Sequence, residues 1–341
     1  MTDFHRLIVE WYRLNKRDLP WRDTQNAYFI WLSEIILQQT RVLQGMNYYF
    51  KFISHYPTVH DLANASEQDV LNDWQGLGYY SRARNLHFTA KLISKEMKGV
   101  FPSSFNEIKK LKGIGDYTAA AISSFAYNLP QAVVDGNVYR VLSRVFEVHL
   151  PIDSTQGKKF FADLAQELIS LKEPAIHNQA IMELGALQCL PVNPICHSCP
   201  LNSICLAFSN QTYKELPIKL KKVKVRNRYF HFLIFKNDGN VLLQKREEKD
   251  IWQHLFQFPL LETALDEELT AMDFTKLGVL PYRITEGVKH VLSHQRIYAR
   301  FYYFDGFPAV LEKSYFQVLQ VNIQDYPLPR LIDRFLDEQG T

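Results

Sequence analysis

No stretch of this 341-residue chain is apolar for long enough to span a bilayer, which takes about 20 predominantly apolar residues in a row. Its first residues, Met1-Thr2-Asp3-Phe4-His5, lack the regions of a signal peptide. A soluble cytoplasmic protein with no membrane partner is the expectation. Cysteine is scarce: there are four, all between Cys189 and Cys205. Thiols bunched in this way do not make the scattered disulfide framework of a secreted fold; they read as a metal site in a reducing compartment. An excess of either charge is also lacking, since 39 Lys and Arg stand against 36 Asp and Glu. A net charge of +3 does not announce a nucleic-acid binder, so any such surface has to come from local clustering. Internal repeats and low-complexity tracts are absent, which leaves an ordinary globular protein.

What is present suits two domains, because 47% of the residues are apolar and 22% charged, and the length lets each domain bury a core. As far as about Phe208 the apolar residues recur at helical spacing, as in Trp31 to Val42, Tyr117 to Ala126, Val138 to Val148 and Lys158 to Leu171. Loops at Tyr56-Pro57, Gly76-Leu77-Gly78 and Asn128-Leu129-Pro130 separate them. The first domain is therefore expected to be all-α. Between Lys214 and Arg228 come seven basic residues and one acidic one, a tether that is either solvated or laid along phosphates. Arg228 to Lys236 then reads as a strand, Asn237 to Asn240 as a turn, and Val241 to Gln244 as the second strand of a β-hairpin. Tyr298 to Phe304 is a further strand, so the second domain is expected to mix α and β.

The cysteines are spaced Cys189, six residues, Cys196, two residues, Cys199, five residues, Cys205. Four thiolates hold either a tetrahedral zinc or a [4Fe–4S] cluster. One close pair flanked by single cysteines, where zinc ribbons usually have two close pairs, favours the cluster. Pro191, Pro194 and Pro200 restrict the loop. The pattern resembles that of the endonuclease III superfamily of DNA glycosylases. Upstream, Leu111-Lys-Gly-Ile-Gly-Asp-Tyr-Thr118 places two glycines, Gly113 and Gly115, between a helix expected to end at Gly113 and another starting near Asp116. Such a turn points backbone N–H groups at an anion such as one phosphate. Alone it is an ordinary helix–helix turn; beside the cysteines it resembles that superfamily's helix–hairpin–helix.

Cleaving an N-glycosidic bond calls for one protonated acid at the leaving base and one ionised carboxylate at the sugar. Asp135 stands at the mouth of a helix, a place that favours a charged carboxylate and also suits a plain N-cap. Glu34, within Trp31-Leu-Ser-Glu-Ile-Ile-Leu37, is either an acid whose pKa burial raises or a helix-surface glutamate; periodicity does not choose. More specifically, Leu19-Pro-Trp-Arg22, Trp31 to Val42, Gly76-Leu-Gly-Tyr-Tyr-Ser-Arg82 and Val134-Asp-Gly-Asn-Val138 resemble, in order, the motifs of MutY-type adenine DNA glycosylases. That resemblance implies double-stranded DNA with adenine opposite 8-oxoguanine or guanine as substrate. It implies Glu34 as the acid at adenine N7, Asp135 as stabiliser of the sugar cation, and Asn137 and Tyr117 in support. Arg17, Trp21 and Gln179 match positions of the adenine pocket. Gln39 and Tyr79 match residues that wedge into the duplex, and Arg22 and Thr40 join the DNA-binding set. Arg41, Arg82 and Arg84 are either phosphate contacts or plain surface charge. Tyr117 stands where bifunctional relatives carry a Schiff-base lysine, so strand cleavage is not expected.

In the second domain, Asp250 to Pro259 resembles a segment of the Nudix (MutT-like) fold. The acids of Leu260 to Glu268 lack the catalytic Nudix arrangement, so no pyrophosphatase activity is expected. Leu292-Ser293-His294 resembles the family's lesion-sensing loop, whose usual first residue is Phe; a serine hydroxyl both donates and accepts, and so can test the altered edge of 8-oxoguanine. The expected layout is an all-α helix–hairpin–helix glycosylase domain over 1–209, with a helical barrel at about 20–130 and an Fe–S lobe formed by 1–19 and 131–209. A basic linker over 210–228 and an α+β Nudix-like domain over 229–341 follow. The expected cofactor is a [4Fe–4S] cluster on Cys189, Cys196, Cys199 and Cys205. The expected state is a monomer, associated with the nucleoid in a prokaryote. The rival readings are an endonuclease III-like remover of oxidised pyrimidines, a non-catalytic mismatch binder and an electron carrier. Tyr117, the pair Glu34 and Asp135, and the hairpin respectively speak against them.

Overall fold

The computed structural model describes residues 2–220, 225–308 and 315–339; residues 221–224 of the expected tether lie outside it. The helices in chain order are α1 (Thr2–Asn15), α2 (Ala27–Ile36), α3 (Val42–His55), α4 (Val59–Asn64), α5 (Glu67–Asp73), α6 (Ser81–Glu96), α7 (Phe105–Lys110), α8 (Asp116–Tyr127), α9 (Gly136–Val145), α10 (Thr155–Leu168), α11 (Pro174–Leu187) and α12 (Leu206–Ser209), with α13 (Arg330–Gln339) closing the second domain. Two compact units form: Met1–Asn64 with Phe88–Lys221, and Ala65–His87 with Lys222–Thr341.

The first unit is all-α. Its α2 is apolar almost all round, as a core helix must be: every residue but Phe29 is buried, Glu34 included. The Asn26 side chain caps α2 by accepting from the Tyr28 N–H. The expected single helix from Trp31 to Val42 is broken, because α2 stops at Ile36 and α3 begins at Val42. Between them Gln39 adopts a left-handed φ of 56°, which no helix continues through. A second core joins α1, α9, α10 and α11 through Phe4, Ile8, Val141, Leu142, Phe161 and Leu184, with Cys189, Cys199 and Cys205 packed against it.

The second unit is built on a mixed sheet. Strands β1 (Arg226–Asn237) and β2 (Asn240–Lys245) make the expected hairpin, with Lys236 opposite Val241. Strand β7 (Gln295–Asp305) runs parallel to β1 from Arg226↔Gln295 to Lys236↔Asp305. Stacked rings across that pair, Phe232 on Phe301 and Phe235 on Phe304, make it the buried centre, as parallel pairs usually are. The remaining strands are β3 (Phe256–Gln257), β4 (Leu260–Thr263), β5 (Arg283–Ile284), β6 (Val288–Val291) and β8 (Phe316–Leu319), all antiparallel to their neighbours.

Residues 65–87, assigned by sequence to the helical barrel, are helical as expected in α5 and the start of α6, and by contact they group with the C-terminal sheet. Asn72 donates to the Asp325 carbonyl at 2.7 Å, Gln75 to Asp333 at 2.9 Å and Arg84 to the Gln253 carbonyl at 2.6 Å; periodicity carries no trace of such partners. The tether is shorter than 210–228. Leu216 is buried and its carbonyl accepts from Arg144, the Ile218 carbonyl accepts from the Ile152 N–H, and Arg226 to Arg228 already belong to β1.

Candidate active site

Two carboxyls define the chemistry of the first unit. Asp135 caps α9, with Oδ1 accepting from the Val138 N–H at 2.8 Å and Oδ2 from the Asn137 amide at 2.7 Å. Both the cap and the carboxylate readings of this residue are thus served by one side chain. Burial raises its pKa above the ordinary value, while the Val138 and Asn137 hydrogen bonds pull it down. Glu34 lies on the solvent-poor α2 at 8% exposure. Burial pushes it up to about 7; a hydrogen bond from Tyr117 opposes this and the Asp135 charge adds to it. The surface-glutamate alternative is excluded. Burial pushes both groups towards the neutral form, Glu34 as far as about 7, while Asp135 keeps two hydrogen bonds that favour its carboxylate, the contrast an acid–carboxylate pair draws on.

Tyr117 comes from the first turn of α8, and its hydroxyl donates to Glu34; burial first, then the charges of Glu34 and Asp135, raise its phenol well above 10. Asn137 is oriented by Arg140, which donates to its Oδ1 at 2.9 Å and so turns the amide N–H₂ to Asp135. Arg140 is held in turn by the carbonyls of Gly185 and Cys189, both at 2.6 Å. Gly185 itself is required by close packing: a Cβ there would lie 2.6 Å from that of Asn137.

These residues face one cavity of about 690 Å³. Its walls bring together Glu34, Tyr117, Asp135 and Asn137 with Arg17, Trp21 and Gln179, and with Arg22, Gln39, Thr40 and Gly115. Trp21 stands edge-on to Tyr49 at 5.3 Å between ring centres. Gln179 accepts from the Tyr12 hydroxyl at 2.5 Å through Oε1, which leaves its N–H₂ to donate. Arg17 and Arg22 both grip Glu183, which is 1% exposed, Arg17 through two nitrogens at 2.9 and 2.7 Å and Arg22 at 2.7 Å. Burial alone would raise Glu183; the bonds from Arg17 and Arg22 outweigh it and bring the pKa to about 2. Neither Glu183 nor Arg140 was singled out from sequence. Their signal was spacing: Glu183 lies one helical turn beyond Gln179, and Arg140 three residues beyond Asn137.

The hairpin is built as expected except that α7 stops at Lys110 and a turn closed by the Ile114 N–H to the Leu111 carbonyl leads to Gly113, at φ 83°. Gly115 is the N-cap of α8 and supplies no side-chain cap. Gly113 is not among the residues lining the cavity. The remaining expected residues lie in the second unit. Tyr79 is left-handed at φ 47°, and its hydroxyl bonds to that of Ser293. Leu292, Ser293 and His294 form the tip of the β6–β7 hairpin, with the Leu292 N–H on the Gln295 carbonyl and the His294 carbonyl accepting from Arg226.

Cys189, Cys196, Cys199 and Cys205 are free thiols that line one small cavity with Val141, Leu184, Leu201 and Phe208. Among the described residues, no group of three or more His, Cys, Asp or Glu side chains is arranged to hold a single metal ion. Among the described residues, no helix is long and apolar enough to cross a membrane.

Residues 32–166 match the HhH-GPD superfamily base excision DNA repair protein family, and residues 230–338 match the NUDIX domain. The adenine DNA glycosylase of Buchnera aphidicola subsp. Acyrthosiphon pisum is 33% identical over 340 residues, covering 98% of this chain and 97% of its own. That of Buchnera aphidicola subsp. Baizongia pistaciae is 37% identical over 302 residues, covering 86% and 84%; that of Homo sapiens is 42% identical over 225 residues, covering 63% and 41%. Among solved structures, a thermostable thymine-DNA glycosylase superposes with a TM-score of 0.57 at 27% identity, covering 61% of this chain and 95% of that one. A trapped endonuclease III–DNA intermediate shares the fold, with a TM-score of 0.53 at 21% identity over 62% of this chain and 98% of its own. With near-complete coverage by such relatives, a helix–hairpin–helix glycosylase region and a Nudix region in one chain, this protein belongs to the family of MutY-type adenine DNA glycosylases.

Proposed function

We propose that this chain acts as a monomer on double-stranded DNA, flips out adenine paired with 8-oxoguanine or guanine, and removes it by hydrolysis without cutting the strand. The observation that carries this reading is Glu34. A buried carboxyl with a pKa of about 7 still holds a proton at neutral pH, on the same cavity as a second carboxyl held by two hydrogen bonds.

Adenine is a poor leaving group until a ring nitrogen is protonated, so Glu34 gives its proton to N7 as the C1′–N9 bond breaks. The electron pair leaves with the base, and positive charge builds on the sugar. Asp135 faces that charge as a carboxylate, and Asn137 keeps it pointed there. Water then adds to C1′ and loses its proton to Glu34, which restores the acid. Tyr117 steadies Glu34 through its hydroxyl and has no amine, so no Schiff base forms with the sugar. Trp21 offers a ring for the base to stack on, and Gln179 a free amide to donate. The ion pairs of Arg17 and Arg22 with Glu183 keep the far wall rigid.

Extrusion of the base costs a few kcal/mol. The exposed left-handed residues Gln39 and Tyr79 support a wedging role, since strained backbone of this kind concentrates at functional positions. The uncapped start of α8 behind Gly113 and Gly115 supports a phosphate contact. The exposed Ser293–His294 tip supports reading of the opposite base, and Leu292 stands beside it where the family usually has Phe.

The four thiols fit a [4Fe–4S] group. Cys189, Cys196, Cys199 and Cys205 line one small cavity and would supply the four thiolates such a cluster takes. When bound, the cluster supplies a rigid four-thiolate anchor for the loop that carries the Cys189 carbonyl to Arg140.

Single-turnover release of adenine from duplexes with A opposite 8-oxoguanine, G, C or T tests the reading, with wild type and Ser293→Ala run side by side. The expected order is 8-oxoguanine, then G, with little release from the others; Ser293→Ala narrows the gap between the first two. Borohydride should trap almost no covalent complex. Failure to release adenine from any duplex would overturn the proposal, as would trapping in good yield.

A further inference from the structure

Arg144 ends α9 beside the cysteine cavity and is 3% exposed. All three nitrogens of its guanidinium donate. Nη1 donates to the Leu190 carbonyl at 2.7 Å and to Cys189 Sγ at 3.3 Å, Nη2 to the Pro191 carbonyl at 3.2 Å, and Nε to the Leu216 carbonyl at 3.1 Å. Carbonyls satisfy hydrogen bonds but not charge. Arg228, nearly as buried, has the carboxylates of Glu262 and Asp250 at 2.6 and 2.8 Å. Arg144 makes no ion pair with a carboxylate among the described residues. An uncompensated buried charge costs several kcal/mol. The C-terminal end of α9 offsets part of that through its half-charge. Of the groups its guanidinium donates to, the one able to become a full anion is the Cys189 thiol.

Arg144 also touches the site a second time, since its carbonyl accepts from Cys205 Sγ at 3.5 Å. The same residue therefore meets the first and the last of the four cysteines, one through its charged end and one through its backbone. Four thiolates around a cluster of four irons and four sulfides leave the whole anionic, so a buried cation beside Cys189 is the complement such a group lacks. We infer that Arg144 is the countercharge of the four-cysteine site, and that it sets how tightly that site holds its cluster and at what potential. This rests on the reading of the site as a [4Fe–4S] centre. A positive charge and an N–H donor beside a ligating sulfur favour the more reduced form, because both stabilise added negative charge.

Arg144→Gln and Arg144→Lys separate charge from geometry. Both full-length variants and the wild type would be purified anaerobically. Iron content and visible absorbance would report loading, far-UV circular dichroism folding, and voltammetry of DNA-bound protein films the midpoint potential. Arg144→Gln should load less iron, bleach faster with ferricyanide and shift the potential to more negative values. Arg144→Lys keeps the charge while losing most of the carbonyl bonds, and should load iron at close to the wild-type potential. If Gln fails to fold, the Lys variant alone decides. A Lys variant that does not load, or whose potential moves as far as that of Gln, would overturn the inference, as would a loaded Gln variant with an unchanged potential. Wild type without iron or visible absorbance would instead refute the cluster reading itself, so the two failures are distinguishable.

Discussion

Replacing Glu34 by Gln should make this protein more stable and inactive at once, and the gain should depend on pH. The carboxyl titrates at about 7 in the folded chain against 4.5 unfolded, and each pH unit corresponds to about 1.4 kcal/mol. Keeping Glu34 ionised in the fold therefore costs about 3 kcal/mol at pH 8. Because the folded pKa is the higher one, the folded state binds the extra proton between those limits. No cost exists below about pH 4.5, it grows as pH rises, and it is complete above 7. Glutamine has nearly the same shape, keeps an oxygen for the Tyr117 hydroxyl, and never ionises. Thermal melting of wild type and variant at pH 4, 5, 6, 7 and 8 should show nearly equal midpoints at pH 4 and a widening difference above it. At pH 8 the variant should melt several degrees higher, since 1 kcal/mol moves the midpoint about 2–4 °C in a unit of this size. Adenine release should fall at least about a hundredfold, the lower range for a general acid. Wild-type release should itself decline about tenfold per pH unit above 7 as the proton is lost. Melting curves that stay parallel across the range would refute the reasoning, because an ionised Glu34 would then be solvated and no acid would be held ready.

Two other perturbations follow from the geometry. Gly185→Ala places a methyl against Asn137, which forces Asn137 and its partner Asp135 out of register; single-turnover release should drop by an order of magnitude or more while circular dichroism stays unchanged. Glu183→Gln leaves Arg17 and Arg22 without their shared anion and should cost about 3 kcal/mol, the lower range for breaking a buried pair, because Arg17 is partly exposed. With its folded pKa depressed to about 2, the wild-type contribution of Glu183 is fully present above about pH 4.5 and is lost as pH falls through 2. The difference between wild type and variant in urea melts should accordingly shrink on acidification.

Much of the site was legible in the residues because it rests on short-range chemistry. Asp135 before Gly136-Asn137-Val138 is an N-cap whichever fold surrounds it, since its partner is the N–H three residues on. The β1–β2 hairpin follows from alternation around Asn237 to Asn240. Four cysteines within seventeen residues of each other in sequence were bound to share a neighbourhood. The resemblance named Arg17, Trp21 and Gln179 from distant parts of the chain, and all three line one cavity with Glu34 and Asp135. What the residues did not show lies where the partner is distant: the helical pattern of residues 65–87 is silent about Asp325, Asp333 and Gln253, and the stretch from Trp31 to Val42 has helical spacing through a residue, Gln39, that turns left-handed.

The sequence by itself determined the family, a helical and a Nudix region, and which residue types the candidate site would offer, all of which are written in residue types at short spacing. Only the tertiary structure decided what those groups are able to do. The Glu34 carboxyl is pushed up to about 7 because α2 is largely buried, Glu183 stays charged because Arg17 and Arg22 reach it from more than 160 positions away, and Arg144 meets Cys189 across a fold rather than along a helix. Desolvation and Coulomb attraction depend on distance in space, and a linear string of residues does not hold that distance.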